Sequence, residues 1–340
     1  MSWLTVVGIG ADGLDGLSPR ALRAVAAAEV LVGGTRHLAM VPDDGRPRLA
    51  WRTPLLATMP ELLALRPRRV AVLASGDPLW YGIGRLLLRH LPAAEVTIVP
   101  HVSAYQEACS RLGWPMEEVR PLTAHGRPVA ALRRHMQPGR RLLVLTADGD
   151  APAAIARCLI EAGYGPSRTI VLEHLGAPDE RLVEAPAVRM STRRFAELNI
   201  MAIEVEAEDD AAALALVPGL PDTAFEHDGQ LTKAEIRAIT LAALAPRDGE
   251  LLWDVGAGAG SVAIEWLRAG HAMQAFAIER DPARAARIAA NAERLGVPEL
   301  VVHTGEAPAA LAGLPTPAAI FVGGGVGTAG VPQPCREALP

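Results

Sequence analysis

Asp254-Val255-Gly256-Ala257-Gly258-Ala259-Gly260 follows the apolar run at 250–255 and precedes a segment of helical period, and Glu279 closes the next apolar run at 273–278. A glycine turn between a buried strand and a helix, with a carboxylate at the end of the neighbouring strand, is the pattern of an adenosine-binding α/β crevice. The glycines let backbone approach the ligand, and the carboxylate takes the ribose hydroxyls. Two ligand classes fit. A dinucleotide would set its pyrophosphate at the helix N-terminus, where Asp254 repels it. S-adenosylmethionine carries a cationic sulfonium and ammonium, which Asp254 favours. The spacing is also G-x-G-x-G and not G-x-G-x-x-G.

Outward from this loop, short β-rich runs alternate with Ala/Leu/Arg segments of helical period, which predicts an α/β protein with mostly parallel strands. Strands are expected at 3–9, 29–33, 69–74, 95–99, 141–146, 168–173 and 200–206. The acidic, Ala-rich stretch from Glu206 and then Val217-Pro218-Gly219-Leu220-Pro221 break the alternation. They predict a domain at 1–206, a linker at 207–221 and a second domain at 222–340. The second domain should carry a helix at 233–245, strands at 250–255, 273–278, 299–302 and 319–322, and a helix at 328–339. Four strands make a small doubly wound sheet with the apolar Ala319-Ile320-Phe321-Val322 on an uncovered edge, so this domain is expected to be partial.

The chain has 340 residues, 33 Lys+Arg against 38 Asp+Glu and a net charge of −5, and half its residues are hydrophobic. That composition supplies full cores and excludes a disordered chain. Lys233 is the sole lysine, and an acidic chain without Lys-rich runs argues against a nucleic-acid partner. Cys109, Cys158 and Cys335 are odd in number and far apart, which predicts neither disulfides nor zinc and a reducing compartment. No apolar run approaches the ~20 residues that cross a bilayer, and the chain opens without the basic segment of a signal peptide. A cytoplasmic protein without a membrane partner is expected.

The first half has its own loops at strand ends. Gly8-Ile9-Gly10-Ala11-Asp12-Gly13 follows the first strand, but the next helix starts only at Ser18-Pro19, an N-cap and first-turn pair. Ser75-Gly76-Asp77-Pro78 follows another strand, with Asp77 and Pro78 suited to cap a helix. His101-Val102-Ser103-Ala104-Tyr105 follows a third. No Ser/His/Asp triad order, H-E-x-x-H or G-K-[ST] occurs, and His37, His101, His125 and His174 lack metal-ligand spacing. No metal site and no catalytic acid or base is assigned.

Together with Leu17-Ser18-Pro19, Tyr81-Gly82 and Pro100-His101-Val102-Ser103-Ala104, these loops resemble the tetrapyrrole methylase (class III) family of cobalamin synthesis, in its C5-methylating branch. Residues 222–340 resemble the class I methyltransferases that methylate C15 and decarboxylate. The motifs there are Thr232-Lys233-Ala234-Glu235-Ile236-Arg237, the 254–260 loop, Gly305-Glu306-Ala307-Pro308 and Val322-Gly323-Gly324-Gly325. The resemblance implies a tetrapyrrole methylase fold of two α/β subdomains followed by a Rossmann-like domain, with two S-adenosylmethionine sites. The first cofactor would lie folded near Gly10, Gly76, Asp77 and the Ser103-Ala104 turn. The second would extend over Gly256, Ala257, Gly258, Ala259 and Gly260, with Glu279 on the ribose, Glu306 and Ala307 near the adenine, and Thr232 closing over it. The substrate implied is a precorrin, a small tetrapyrrole with several carboxylates, and the enzyme a homo-oligomer.

Arg127, Arg133, Arg134, Arg193 and Arg194 are candidates to bind the carboxylates in bidentate fashion. Two competing readings are a nucleic-acid methyltransferase on residues 222–340 and a C5 methyltransferase with a non-catalytic C-terminal module. The first lacks an Asn-Pro-Pro-aromatic clamp for a flipped base. For the second, the partial domain predicts C5 methylation without C15 methylation.

Overall fold

The computed structural model describes residues 2–209, 211, 213–324 and 330–339. The chain builds three sheets. In the first, β1 (Leu4–Ile9), β2 (Val30–Gly33), β3 (Arg48–Ala50), β4 (Val70–Ser75) and β5 (Val96–Val99) run parallel in the order β3-β2-β4-β1-β5. The runs Val30-Leu31-Val32 and Val70-Ala71-Val72-Leu73-Ala74 are buried throughout because helices cover both faces. Val7, Ile9, Leu31 and Leu73 fill one face and Val6, Val32, Val72 and Leu87 the other. All five strands therefore end on one rim, and the sequence-predicted loops after β1, β4 and β5 meet there.

The second sheet holds β6 (Val119–Thr123), β7 (Arg141–Leu145), β8 (Arg168–Glu173), β9 (Arg181–Pro186) and β10 (Asn199–Glu204) in the order β6-β7-β10-β8-β9. Only β6 and β7 pair in parallel; the other three pairings are antiparallel. This corrects the expectation of mostly parallel strands for this part of the chain. The reason is connection length: residues 174–180 join β8 to β9, too few for the crossover helix a parallel pair needs. The strands β3, β6 and β9, absent from the sequence reading, all lie at sheet edges.

The third sheet is parallel, with β11 (Leu251–Val255), β12 (Gln274–Glu279), β13 (Val301–Thr304) and β14 (Ala319–Val322) in the order β13-β12-β11-β14. Helices Ala234–Leu244, Ser261–Ala269 and Pro282–Arg294 pack on it, with Trp266 wholly buried. Asp281 caps the last of these, accepting from the Ala283 and Arg284 amides. β14 is an edge strand of this sheet, as expected, but its faces are covered: all four of its residues are half-buried, with Phe321 against one core and Ile320 and Val322 against the other. The terminal helix spans Pro332–Ala338; residues 328 and 329 of the expected helix, and Gly325 of the glycine motif, lie outside the described residues.

The stretch 207–221 is not a free tether. Leu220 is buried in the third core, and the Gly219 and Leu220 amides donate to the Glu265 carboxylate at 2.6 and 3.0 Å. Arg134 pairs with Glu299 at 2.7 Å across the junction of the two halves. No helix among the described residues is long and apolar enough to cross a membrane, and none of them groups into a metal-binding cluster.

Candidate functional site

The C-terminal crevice opens where β11 and β12 end. Gly256, Gly258 and Gly260 all take positive φ, at +72°, +61° and +76°. At Gly258 a Cβ would lie 3.1 Å from the Gln230 carbonyl, so only glycine combines this conformation with that approach. A cavity of about 670 Å³ lies over the loop. Gly256, Ala257, Gly258, Glu279, Glu306, Ala307 and Thr232 line it, as the sequence expectation grouped them. Ala259 and Gly260 do not: Ala259 is buried, with its carbonyl held by Asn291, and Gly260 packs on Ile288. The four-stranded domain thus forms a cofactor-sized crevice, contrary to the expectation of a half-built one.

Glu279, 4% exposed, accepts from the Gly258 amide at 2.9 Å and the Asp281 amide at 3.0 Å, so the loop itself aims the carboxylate. Glu306 sits at the far wall, 3.7 Å from Arg280. Thr232 is held from behind by Arg237, which is wholly buried, donates to the Thr232 and Leu220 carbonyls, pairs with Glu265 at 2.5 Å and stacks on Phe225. The sequence contained this pair but no spacing rule links residues on two different helices. Arg284, Phe321 and Gln230 also line the cavity without having been anticipated.

Asp254 does not line the cavity. It lies beneath the loop, with one oxygen accepting from the Ala263 amide at 3.1 Å and the other without a partner. Burial, opposed by the Ala263 bond and reinforced by the Glu279 charge, pushes its carboxyl up to about 7. The unfolded chain releases this proton near its ordinary value of 3.8. Between these values the folded state alone holds the proton, so the stabilising contribution is full at low pH and declines as pH rises toward about 7. Asp254→Asn is expected to flatten that decline, and melting temperatures of wild type and variant across this range check it. Parallel curves for the two proteins refute it. The glycine cradle and the Glu279 carboxylate that lines it fit an adenosyl ligand, whereas Asp254, beneath the loop, does not face the ligand as the sequence expectation had it.

The N-terminal rim is built by close backbone approach. A Cβ on Gly8 would lie 2.0 Å from the Gly76 carbonyl and 2.7 Å from the His101 amide nitrogen, and one on Gly10 2.4 Å from Asp12 Oδ1. Gly76, at φ +52°, lies against Ser103 and Ala104. Asp77 caps no helix, correcting the sequence expectation: the next helix starts at Ile83, and Asp77 Oδ1 instead accepts from the Leu79 amide at 2.8 Å. Ser103 closes a capping box with Gln106, and Ala104 opens that helix. Gly10, Gly76, Asp77, Ser103 and Ala104 therefore share one rim. Because the Asp77 turn is worth only about 1 kcal/mol, Asp77→Ala should lower activity at this rim by more than the folded fraction falls, if the loop holds a ligand as the sequence expectation has it. Activity and melting temperature falling in proportion would reduce Asp77 to a turn residue.

The rim reaches the second subdomain through aromatic rings. Tyr105 is buried, donates to the Leu122 carbonyl at 2.5 Å, and meets Trp80 and Tyr81 with centroids 5.9 and 6.2 Å away; burial pushes its hydroxyl pKa up. Arg127 stacks on Tyr81 at 5.4 Å. Arg133, Arg134 and Arg194 are already engaged, with Glu161, Glu299, and Asp150 and Glu197. His37 and His101 are not isolated: His101 stands at the Gly8 and Gly10 approach, and His37 bonds Ser75.

A glycine-built rim at the ends of parallel strands in a tetrapyrrole methylase fold, and a glycine-lined crevice in a Rossmann-like class I domain, define an S-adenosylmethionine-dependent methyltransferase. Residues 3–190 match the family model of tetrapyrrole (corrin/porphyrin) methylases, and residues 223–340 that of the precorrin methyltransferase domain. A precorrin-6Y C(5,15)-methyltransferase [decarboxylating] of Sinorhizobium sp is 49% identical over 99% of this chain and 82% of its own length. The chain belongs to this family of cobalamin biosynthesis. A cobalt-precorrin-7 C(5)-methyltransferase of Salmonella typhimurium is 37% identical over 53% of the chain and 88% of its own length. A probable cobalt-precorrin-6B C(15)-methyltransferase (decarboxylating) of Pyrobaculum calidifontis is 43% identical over 32% of the chain and 57% of its own length.

Proposed function

We propose that the two methylations are divided between the domains: residues 1–206 methylate C5, and residues 222–340 methylate C15 and decarboxylate, each with its own S-adenosylmethionine. The observation that carries this reading is that the glycine-built rim of the first sheet and the cofactor-sized crevice of the third belong to different sheets. The separate likenesses of the two halves to C5 and C15 enzymes support it.

In the first site Gly10, Gly76, Asp77, Ser103 and Ala104 hold the cofactor; in the second Thr232, Gly256, Ala257, Gly258, Glu279, Glu306 and Ala307 do. Ala259 and Gly260 act there by shaping the turn. The bound cofactor supplies an electrophilic methyl for in-line displacement, so the chain needs to orient the partners and exclude water and needs no strong nucleophile of its own. Glu279 fixes the orientation of the second cofactor through two acceptor oxygens already aimed by the Gly258 and Asp281 amides. Arg127, with no acidic partner among the described residues, is a carboxylate anchor at the first site.

The substrate is a free precorrin, not nucleic acid, and the enzyme acts in the cytoplasm as a homo-oligomer. The buried, unpaired Cys109, Cys158 and Cys335 support a reducing compartment. The exposed Ile236 and Ile239 on helix Ala234–Leu244 support self-association. Incubation of the chain with precorrin-6Y and methyl-labelled S-adenosylmethionine tests the reading. Addition at both C5 and C15 with release of carbon dioxide is expected. Methylation at C5 alone would leave residues 222–340 as a non-catalytic module.

A further inference from the structure

The first rim carries a second group of polar side chains beside the cofactor loops. β2 and β4 are parallel neighbours, with Gly33 opposite Leu73, so the chain leaving Gly33 emerges next to Ser75. The short helix Thr35–Ala39 follows at once and turns Arg36 and His37 back onto Ser75, the residue before Gly76. Arg36 Nη2 lies 3.2 Å from Ser75 Oγ and 3.1 Å from His37 Nε2, and His37 Nε2 lies 2.8 Å from Ser75 Oγ.

Among the described residues Arg36 has no acidic partner. Several other arginines, such as Arg46, Arg133, Arg141 and Arg237, pair with carboxylates. Arg36 is exposed at the rim, so its charge is open to a ligand from solvent. His37 is no second cation, since burial and the Arg36 charge push its pKa down to about 4, and it serves as a neutral hydrogen-bonding group. The Nε and Nη1 donors of Arg36 make no hydrogen bond among the described residues. A guanidinium so placed can give its free donors to the oxygens of an anionic group as charge-assisted hydrogen bonds.

We propose that Arg36, with Ser75 and His37 orienting it, binds a side-chain carboxylate of the tetrapyrrole during C5 methylation. The substrate supplies such groups, because the reaction of this family releases one of them as carbon dioxide. This inference rests on the assignment of C5 methylation to residues 1–206.

The test is steady-state C5 methylation of precorrin-6Y by the full chain and by Arg36→Gln, Arg36→Lys and Ser75→Ala. Removing a charge-assisted hydrogen bond should raise KM for the tetrapyrrole by about tenfold to a hundredfold in Arg36→Gln. Arg36→Lys and Ser75→Ala should show smaller rises, with S-adenosylmethionine affinity and C15 methylation unchanged in all three. An unchanged tetrapyrrole KM in Arg36→Gln, or an equal loss of cofactor affinity, overturns the inference while the domain assignment stands. A wild-type chain that adds no methyl at C5 overturns the assignment and the inference together.

Discussion

Arginine in place of Gly258 is expected to halve the S-adenosylmethionine that the full chain binds, removing the C-terminal site and sparing the N-terminal one. Gly258 lines the cavity, and its amide donates to the Glu279 carboxylate. A side chain there projects toward the Gln230 carbonyl 3.1 Å from the Cβ position, so it either fills the cavity or pushes the 229–232 segment off it. The positive φ adds a backbone cost of about 1–3 kcal/mol, modest beside the loss of a whole ligand site. Titration calorimetry reads the stoichiometry, and a thermal melt checks that the domain stays folded. The product from precorrin-6Y should then carry the C5 methyl alone and keep every carboxylate. Unchanged stoichiometry would remove the glycine loop from the cofactor site.

Gly8→Val should produce the complementary loss, with C5 methylation falling by about a hundredfold or more and C15 methylation with decarboxylation retained. A Cβ on Gly8 meets backbone on both sides, the Gly76 carbonyl at 2.0 Å and the His101 amide nitrogen at 2.7 Å. Neither can swing away as a side chain would. Relief requires β1 to part from β4 and β5 at their ends, where the cofactor loops meet. Gly8→Ala makes a milder version that separates a displaced rim from an unfolded domain. Mass spectrometry of the product decides it: a C5 methyl added at the wild-type rate by a folded variant would show that this approach does not shape the site.

The two variants also probe different kinds of legibility. The 254–260 loop could be read from sequence because the crevice it makes is local: strand, turn and helix are contiguous, and Glu279 lies one strand further along. Central strands were legible for the same reason, since burial on both faces demands continuous apolar runs such as Val70 to Ala74. Edge strands have no such requirement. β3 is Arg48-Leu49-Ala50, β6 carries Pro121, and β9 carries Arg181, Glu184 and Pro186. Edges are where charge and proline are tolerated, so their sequences look like loops.

What the sequence by itself determined is the pair of α/β domains, the glycine loops at strand ends and the family resemblance those motifs carry. Each of these depends on contacts between residues near one another in the chain, or on a side-chain type with a single backbone role. Only the tertiary structure decided the rest. It turned Asp77 from a helix cap into a turn residue, sank Asp254 beneath its loop and locked the 219–232 segment to Glu265 through Arg237. It also brought Arg36 and His37 onto Ser75 from a different strand. These pairings join elements distant in sequence, and their register is set by how sheets stack and helices pack. No local periodicity encodes that.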